Sequence, residues 1–210
     1  LNVLILYQNH LKNQGAGIIM NEIKKHNKLK ILDDSKKYEF LSNLGLKDIF
    51  IKWPNDILLL GRKMVGILTE MSAEFGHINY VVIGTGVNTN GVPEDYPEEV
   101  RDLAVSVCDA AEEPFTRVEL LCDMLKNMED LYELAVEKGF DAVLDEWRKY
   151  SCTIGQAVKV IAPDKTYFGK AIDIDSEGLL IVEKDDGEIE KVVAGDVSIR
   201  PAAAKDGAYA

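Results

Sequence analysis

Cysteine is scarce in this chain. There are three among 210 residues, Cys108, Cys122 and Cys152, far apart and without a CxxC pair. That argues against a disulfide framework. His10, His26 and His77 do not fall at zinc-ligand spacing, so the sequence carries no metal-cluster signal. Buried or incidental thiols in a reducing compartment are the expectation. Long apolar runs are also missing: none approaches the roughly 20 residues of a membrane-spanning helix. Leu1 to Tyr7 lacks the basic leader and small-residue cleavage site of a signal peptide. Leu1 rather than Met stands first, as in a chain trimmed at its start. Basic charge is short as well, with 24 Lys and Arg against 36 Asp and Glu, a net charge of −12. That balance opposes general affinity for nucleic acid and suits a cytoplasmic protein.

The patterning that is present describes an α+β protein. Asn2 to Tyr7 reads as a buried strand, Asn9 to Gly17 as a loop, and Ile18 to Lys30 and Lys36 to Leu46 as helices. Four short apolar runs follow: Ile49 to Lys52, Asp56 to Leu60, Met64 to Met71 and Ile78 to Val87. Short Gly- or Asn-bearing turns join them, which suggests a mixed or antiparallel sheet. Asn88 to Tyr96 reads as a loop and Glu98 to Ala111 as a helix. Thr116 to Lys138 is the clearest helix, with Thr116 and Glu119 as a capping box. Its apolar face runs Val118, Leu121, Cys122, Leu125, Met128, Leu131 and Leu134, and Gly139 ends it. Phe140 to Tyr150 is a further helix. A boundary falls near Ser151. Beyond it come short alternating strands at Ala157 to Ile161, Tyr167 to Ile174, Leu179 to Val182 and Ile189 to Val193, the pattern of a small β-barrel. The expected division is 1–150, 151–201 and a tail, 202–210.

Three constellations stand out. In Lys52-Trp53-Pro54-Asn55-Asp56 a strand delivers a Lys and a Trp, and Pro54 fixes the turn that leaves Asn55 and Asp56 at a strand edge. In Arg62 to Glu70 (RKMVGILTE), Lys63 is a point charge suited to a carboxylate or phosphate. Gly66 leaves its backbone open inside an apolar strand. In Gly84 to Asn90 (GTGVNTN), two glycines share one side of a strand, and Asn88 offers both donor and acceptor. This is neither a dinucleotide fingerprint nor a P-loop. Taken singly, each is also what a polar turn, a charged hairpin or a bulged strand end would show.

In this order and spacing, KWPNDI, RKMVGILTE and GTGVNTN resemble the biotin protein ligase family, whose patterns read KWPND, K-x-x-G-I-L-x-E and G-x-G-x-N-x-N. Asp145 to Arg148 and Gly195 to Arg200 look like that family's last helix and its C-terminal SH3-like barrel. The resemblance covers roughly Leu41 to Arg200. It implies a class II synthetase-like catalytic domain and ligation of biotin, through biotinyl-5′-AMP, to a lysine of a biotin carboxyl carrier protein. ATP and Mg²⁺ are the implied cofactors, and a homodimer is among the assemblies it allows. By the same resemblance Lys63 contacts the biotin carboxylate and the adenylate phosphate. Gly66, Ile67, Leu68, Gly84 and Gly86 line the biotin pocket. Asn55 and Asp56 serve phosphates and Mg²⁺, with Asp56 as the metal ligand, Asn88 faces adenine, Arg200 reaches the nucleotide, and Trp53 supports from behind.

One departure bears on activity. The family carries a GRGRxGR loop upstream of KWPND, whereas here no Arg precedes Arg62. Asn2 to Asn9 resembles a remnant of the strand leading to that loop, but HLKNQGAG after it brings only Lys12 as a cation. Two readings therefore stand side by side: an ATP-dependent ligase, or an impaired biotin- or nucleotide-binding homologue or fragment. A scaffold that docks carrier protein over a dead pocket is a third.

Overall fold

Short β-branched and leucine-rich runs pair with their sequence neighbours into two antiparallel sheets. The computed structural model describes residues 48–74, 77–111, 116–193 and 198–201. The strand, loop and two helices expected before residue 48, and the tail after 201, lie outside these. The first sheet comprises β1 (Ile49–Lys52), β2 (Asp56–Leu59), β3 (Arg62–Glu74) and β4 (His77–Val87), in the order β1-β2-β3-β4. All three pairings are antiparallel. Leu60 and Gly61, the two residues between β2 and β3, both have positive φ, 52° and 74°. That geometry matches the twist of a two-residue hairpin, and Gly61 adopts it without a Cβ penalty.

Four helices follow: α1 (Glu98–Arg101), α2 (Val107–Ala111), α3 (Arg117–Lys138) and α4 (Phe140–Tyr150). The second sheet holds β5 (Ala157–Ile161), β6 (Thr166–Ile174), β7 (Leu180–Lys184), β8 (Ile189–Val192) and β9 (Ser198–Pro201), in the order β8-β7-β6-β5-β9. The small all-β unit expected after Ser151 is thus present. Its last strand, β9, lies on the far side of β5 from β6.

Two buried clusters hold the chain together. One lies under the first sheet and gathers Ile57, Leu59, Met64, Val65 and Ile67 with Val105 and Val107. The other is shared: Ile51 and Trp53 from the first sheet meet Val143, Leu144 and Trp147 of α4 and the inner face of the second sheet. Trp53 fastens this junction with hydrogen bonds as well as area. Its backbone N–H donates to Thr153 Oγ1 at 2.9 Å, and its indole Nε1–H donates to the Gly178 carbonyl at 3.1 Å. Beside it, the Cys152 N–H donates to the Ile51 carbonyl at 3.0 Å. The two sheets therefore share one core.

Three expectations change. The helix expected over Glu98 to Ala111 is broken in two, because residues 103–105 pair with the backbone of Lys63 instead of continuing the helix. Thr116 is the N-cap of α3, but its side chain makes no cap hydrogen bond. In the C-terminal half of α3, Leu131, Leu134 and Ala135 pack half-buried on the shared core, and in the first half Met124 packs against the cluster under the first sheet. Val118, Leu121 and Leu125 in the first half are exposed. Periodicity identifies an apolar stripe but not what covers it.

Trp147 is 1% exposed at the centre of the shared core. Trp147→Ala is expected to lower the unfolding free energy by about 3–5 kcal/mol, measured by denaturant unfolding followed through circular dichroism.

Candidate ligand-binding site

A one-residue irregularity decides which side chains meet at the site. Along β3, strict alternation would send Lys63 to the same face as Val65 and Ile67, which is the core face. The β2–β3 register shifts between Ile57 and Leu58, which pair with Val65 and Lys63 and leave Met64 as the extra residue. Met64 and Val65 are both buried, at 1% and 0% exposure. A bulge of this kind re-aims the residues on one side of it. Lys63 is thereby carried to the open face, beside Gly66.

The open face is floored by glycine. Gly66 lies opposite Gly86, and Leu68 opposite Gly84. A Cβ at Gly84 or Gly86 would sit in ordinary contact, 3.6 Å and 3.7 Å from backbone oxygens of β3. No clash therefore demands glycine at those two positions. What glycine supplies is depth, a flat strip on which a planar group can rest. Above the strip is a cavity of about 510 Å³ lined by Asn55, Lys63, Gly66, Ile67, Leu68, Gly84, Thr85 and Gly86. Leu68, 63% exposed, lends an apolar side chain to this face. Ile67 is buried in the core beneath, so it meets the cavity through its backbone.

Lys63 is the cation among these lining residues, and its backbone is held on both sides. Its N–H donates to the Leu103 carbonyl at 2.7 Å, and its carbonyl accepts from the Val105 N–H at 3.0 Å. The same carbonyl accepts from Asn88 Nδ2 at 3.2 Å. The ammonium lies 2.6 Å from Asp56 Oδ1.

Asn55 is committed to the sheet. Its Nδ2 donates to the Ile67 carbonyl at 2.6 Å, and its own carbonyl accepts from the Ile67 N–H at 3.0 Å. It clasps the turn after β1 to the middle of β3 and leaves Oδ1 to face the cavity. Asn88 similarly ties the end of β4 to β3, since its N–H donates to the Met64 carbonyl at 2.9 Å. Of the residues singled out in the sequence, the structure gathers Asn55, Lys63, Gly66, Ile67, Leu68, Gly84 and Gly86 around one cavity. Asp56 reaches it through Lys63. Asn88 and Trp53 support it from outside, and Arg200 is on β9, opposite Lys159 of the second sheet. Sequence reasoning did not single out Thr85, whose place between two flooring glycines was the available signal. It also missed Leu103 and Val105, whose role rests on a pairing that no local pattern announces.

The molecule is thus an α+β protein with a lysine at the end of a glycine-floored strand face. The comparisons sharpen the class. The chain belongs to the biotin protein ligase family: residues 16–88 match the biotin/lipoate A/B protein ligase family, and residues 153–200 match the biotin protein ligase C terminal domain. It is 40% identical over 149 residues to the bifunctional ligase/repressor BirA of Bacillus subtilis, covering 71% of this chain and 46% of that one. It is 33% identical over 148 residues to the biotin–[acetyl-CoA-carboxylase] ligase of Mycobacterium tuberculosis, covering 70% and 52%. The chain thus spans about half the length of these relatives. Its fold is that of the Aquifex aeolicus biotin protein ligase solved with biotin and ATP, at a TM-score of 0.67 and 22% identity over 94% of this chain and 74% of that one.

Asn55→Ala removes the clasp on β3. The expected cost is about 0.5–1.5 kcal/mol of stability, measured as a lowered denaturant midpoint with an unchanged slope.

Proposed function

We propose that this chain takes part in ATP-dependent ligation of biotin to a lysine of a biotin carboxyl carrier protein, through biotinyl-5′-AMP. The observation that carries the reading is the Lys63 ammonium standing beside the glycine strip of a cavity about 510 Å³ in volume. The relative named as a biotin–[acetyl-CoA-carboxylase] ligase supplies the substrate class. In this reading the ureido ring and thiophane of biotin rest on Gly66, Gly84, Gly86 and Leu68, with the Ile67 backbone beside them. The biotin carboxylate points to Lys63, and Asn88 and Arg200 serve the nucleotide. Residues 1–150 form the catalytic part and 151–201 the C-terminal part, in a cytoplasmic protein.

The chemistry follows from charge. A carboxylate oxygen attacks the α-phosphorus of ATP, a P–O bond breaks, and pyrophosphate leaves. The lysine amine of the carrier then attacks the acyl carbon, AMP leaves, and the amine loses a proton. The first step brings two anions together, so a fixed cation at their meeting point lowers its barrier. In this reading Lys63, whose N–H and carbonyl both bond residues 103–105, is that cation. Mg²⁺ fits the described residues poorly. No group of three or more His, Cys, Asp or Glu side chains gathers among them, and the Oδ1 of Asp56 is engaged by Lys63.

A second reading is an impaired binder that holds biotin or nucleotide without turnover. The sequence favours it in one respect, the lack of any Arg before Arg62. Biotin-dependent ATP–pyrophosphate exchange separates the two. The ligase reading predicts exchange, and Lys63→Ala should reduce it by more than about tenfold. Saturable biotin binding in calorimetry without exchange would establish the binder instead.

A further inference from the structure

The KWPND motif ends in a carboxylate that faces Lys63 rather than open solvent. Asp56 and Gly66 are cross-strand partners on β2 and β3. The Lys63 side chain lies over Gly66 and ends at Asp56, with Nζ 2.6 Å from Oδ1. A Cβ on Gly66 would stand 3.0 Å from Lys63 Cε, 3.2 Å from Nζ and 3.9 Å from Asp56 Oδ1. The missing side chain of Gly66 is thus the seat in which the Lys63 stem rests. Asp56 is the more enclosed partner, with a side chain 18% exposed against 49% for Lys63. The carboxylate is therefore the fixed end of the pair and the ammonium the end that faces outward.

We infer that Asp56 is a positioning residue that acts through Lys63, holding the ammonium over Gly66 so that its remaining N–H groups face an incoming carboxylate or phosphate. An ammonium has three donors. One is spent on Asp56 and two are left for ligand. A lysine left unheld would have to be ordered when ligand binds, and ordering a side chain of that length weakens affinity by about three- to tenfold. With its stem seated on glycine and its head held by Asp56, Lys63 carries that ordering before ligand arrives. A metal at Asp56 would have to share its carboxylate with the Lys63 ammonium, and no other metal-capable side chains gather around it among the described residues. This inference rests on the biotin-binding reading of the cavity.

The test uses a pair of ligands that differ only at the group Lys63 would meet. Biotin and biotinol, in which a hydroxymethyl group replaces the carboxylate, are titrated calorimetrically into the wild-type chain and Asp56→Asn, without ATP and with EDTA. Positioning through Lys63 predicts that Asp56→Asn binds biotin about threefold or more weakly and biotinol unchanged. Unchanged or tighter biotin binding overturns the inference, as does an equal loss for both ligands, which would mark a distorted floor. A wild-type chain that binds neither ligand counts against the biotin reading. Amine labelling then decides the role of Asp56 by itself. With acetic anhydride and peptide mass spectrometry, Lys63 is expected to acetylate about threefold faster in Asp56→Asn than in wild type. Equal rates overturn the inference.

Discussion

The site depends on the bulge at Met64. Without the extra residue, the period of two along β3 would bury Lys63 beside Val65 and Ile67. An ammonium there would have to be desolvated without a partner, at a cost no strand pairing offsets. With it, Met64 and Val65 both turn into the core, and the phase of the strand slips just after Lys63. Lys63 keeps Leu58 as its partner on β2, and its own N–H and carbonyl bond Leu103 and Val105. The break in the helix expected over Glu98 to Ala111 falls at this pairing. The segment leaves helical geometry where its backbone is needed by Lys63.

Behind the site, Trp53 carries the second constraint. It stands three residues before Asp56 and is 1% exposed. Its two hydrogen bonds go to Thr153 and Gly178, on either side of the second sheet's first two strands. The turn that presents Asn55 and Asp56 is thus anchored at one end in the shared core and at the other in the backbone of Ile67. A site built this way is held by paired strands and buried aromatic surface, and its geometry does not rely on loop packing. Among the described residues, the C-terminal sheet reaches this cavity through that anchoring and not through a lining side chain.

How much of this was legible follows from which interactions are local. The four strands of the first sheet pair with their neighbours, so alternation and turn residues located them to within a few positions. The three motifs converge because they lie on adjacent strands, and adjacency in a meander is encoded in sequence order. Gly66, Gly84 and Gly86 could be placed on one face by counting. The bulge could not, since Met64 is as suitable a strand residue as its neighbours and only the pairing register reveals it. The burial of α3 was misjudged for a related reason. Val118, Leu121 and Leu125 have the spacing of a core face, yet burial depends on a partner element that the spacing does not name. Asn55, expected at a strand edge beside a ligand, does line the cavity, but its amide is also a strand clasp that no local pattern announces. The structure spends its amide on Ile67.

Charge accounting sets what the described residues can do by themselves. Lys63 and Asp56 together are neutral, so at a distance the cavity offers an anion little attraction. Close to the strip the balance changes, because the ammonium faces outward and the carboxylate is the more enclosed partner. Attraction is then short-ranged and directional, arising from donors at hydrogen-bond distance, and it selects an anion whose apolar remainder can lie along the glycines. The chain's net charge of −12 reinforces this, since long-range steering of anions is absent or reversed. In the proposed reading a ligand such as biotin, largely uncharged apart from one terminal carboxylate, meets those terms, with its rings on the strip and its single charge at Lys63. ATP, with four negative charges on its phosphates, does not meet them with Lys63 alone. Nucleotide binding therefore requires cations beyond this cavity, and that requirement separates holding biotin from activating it.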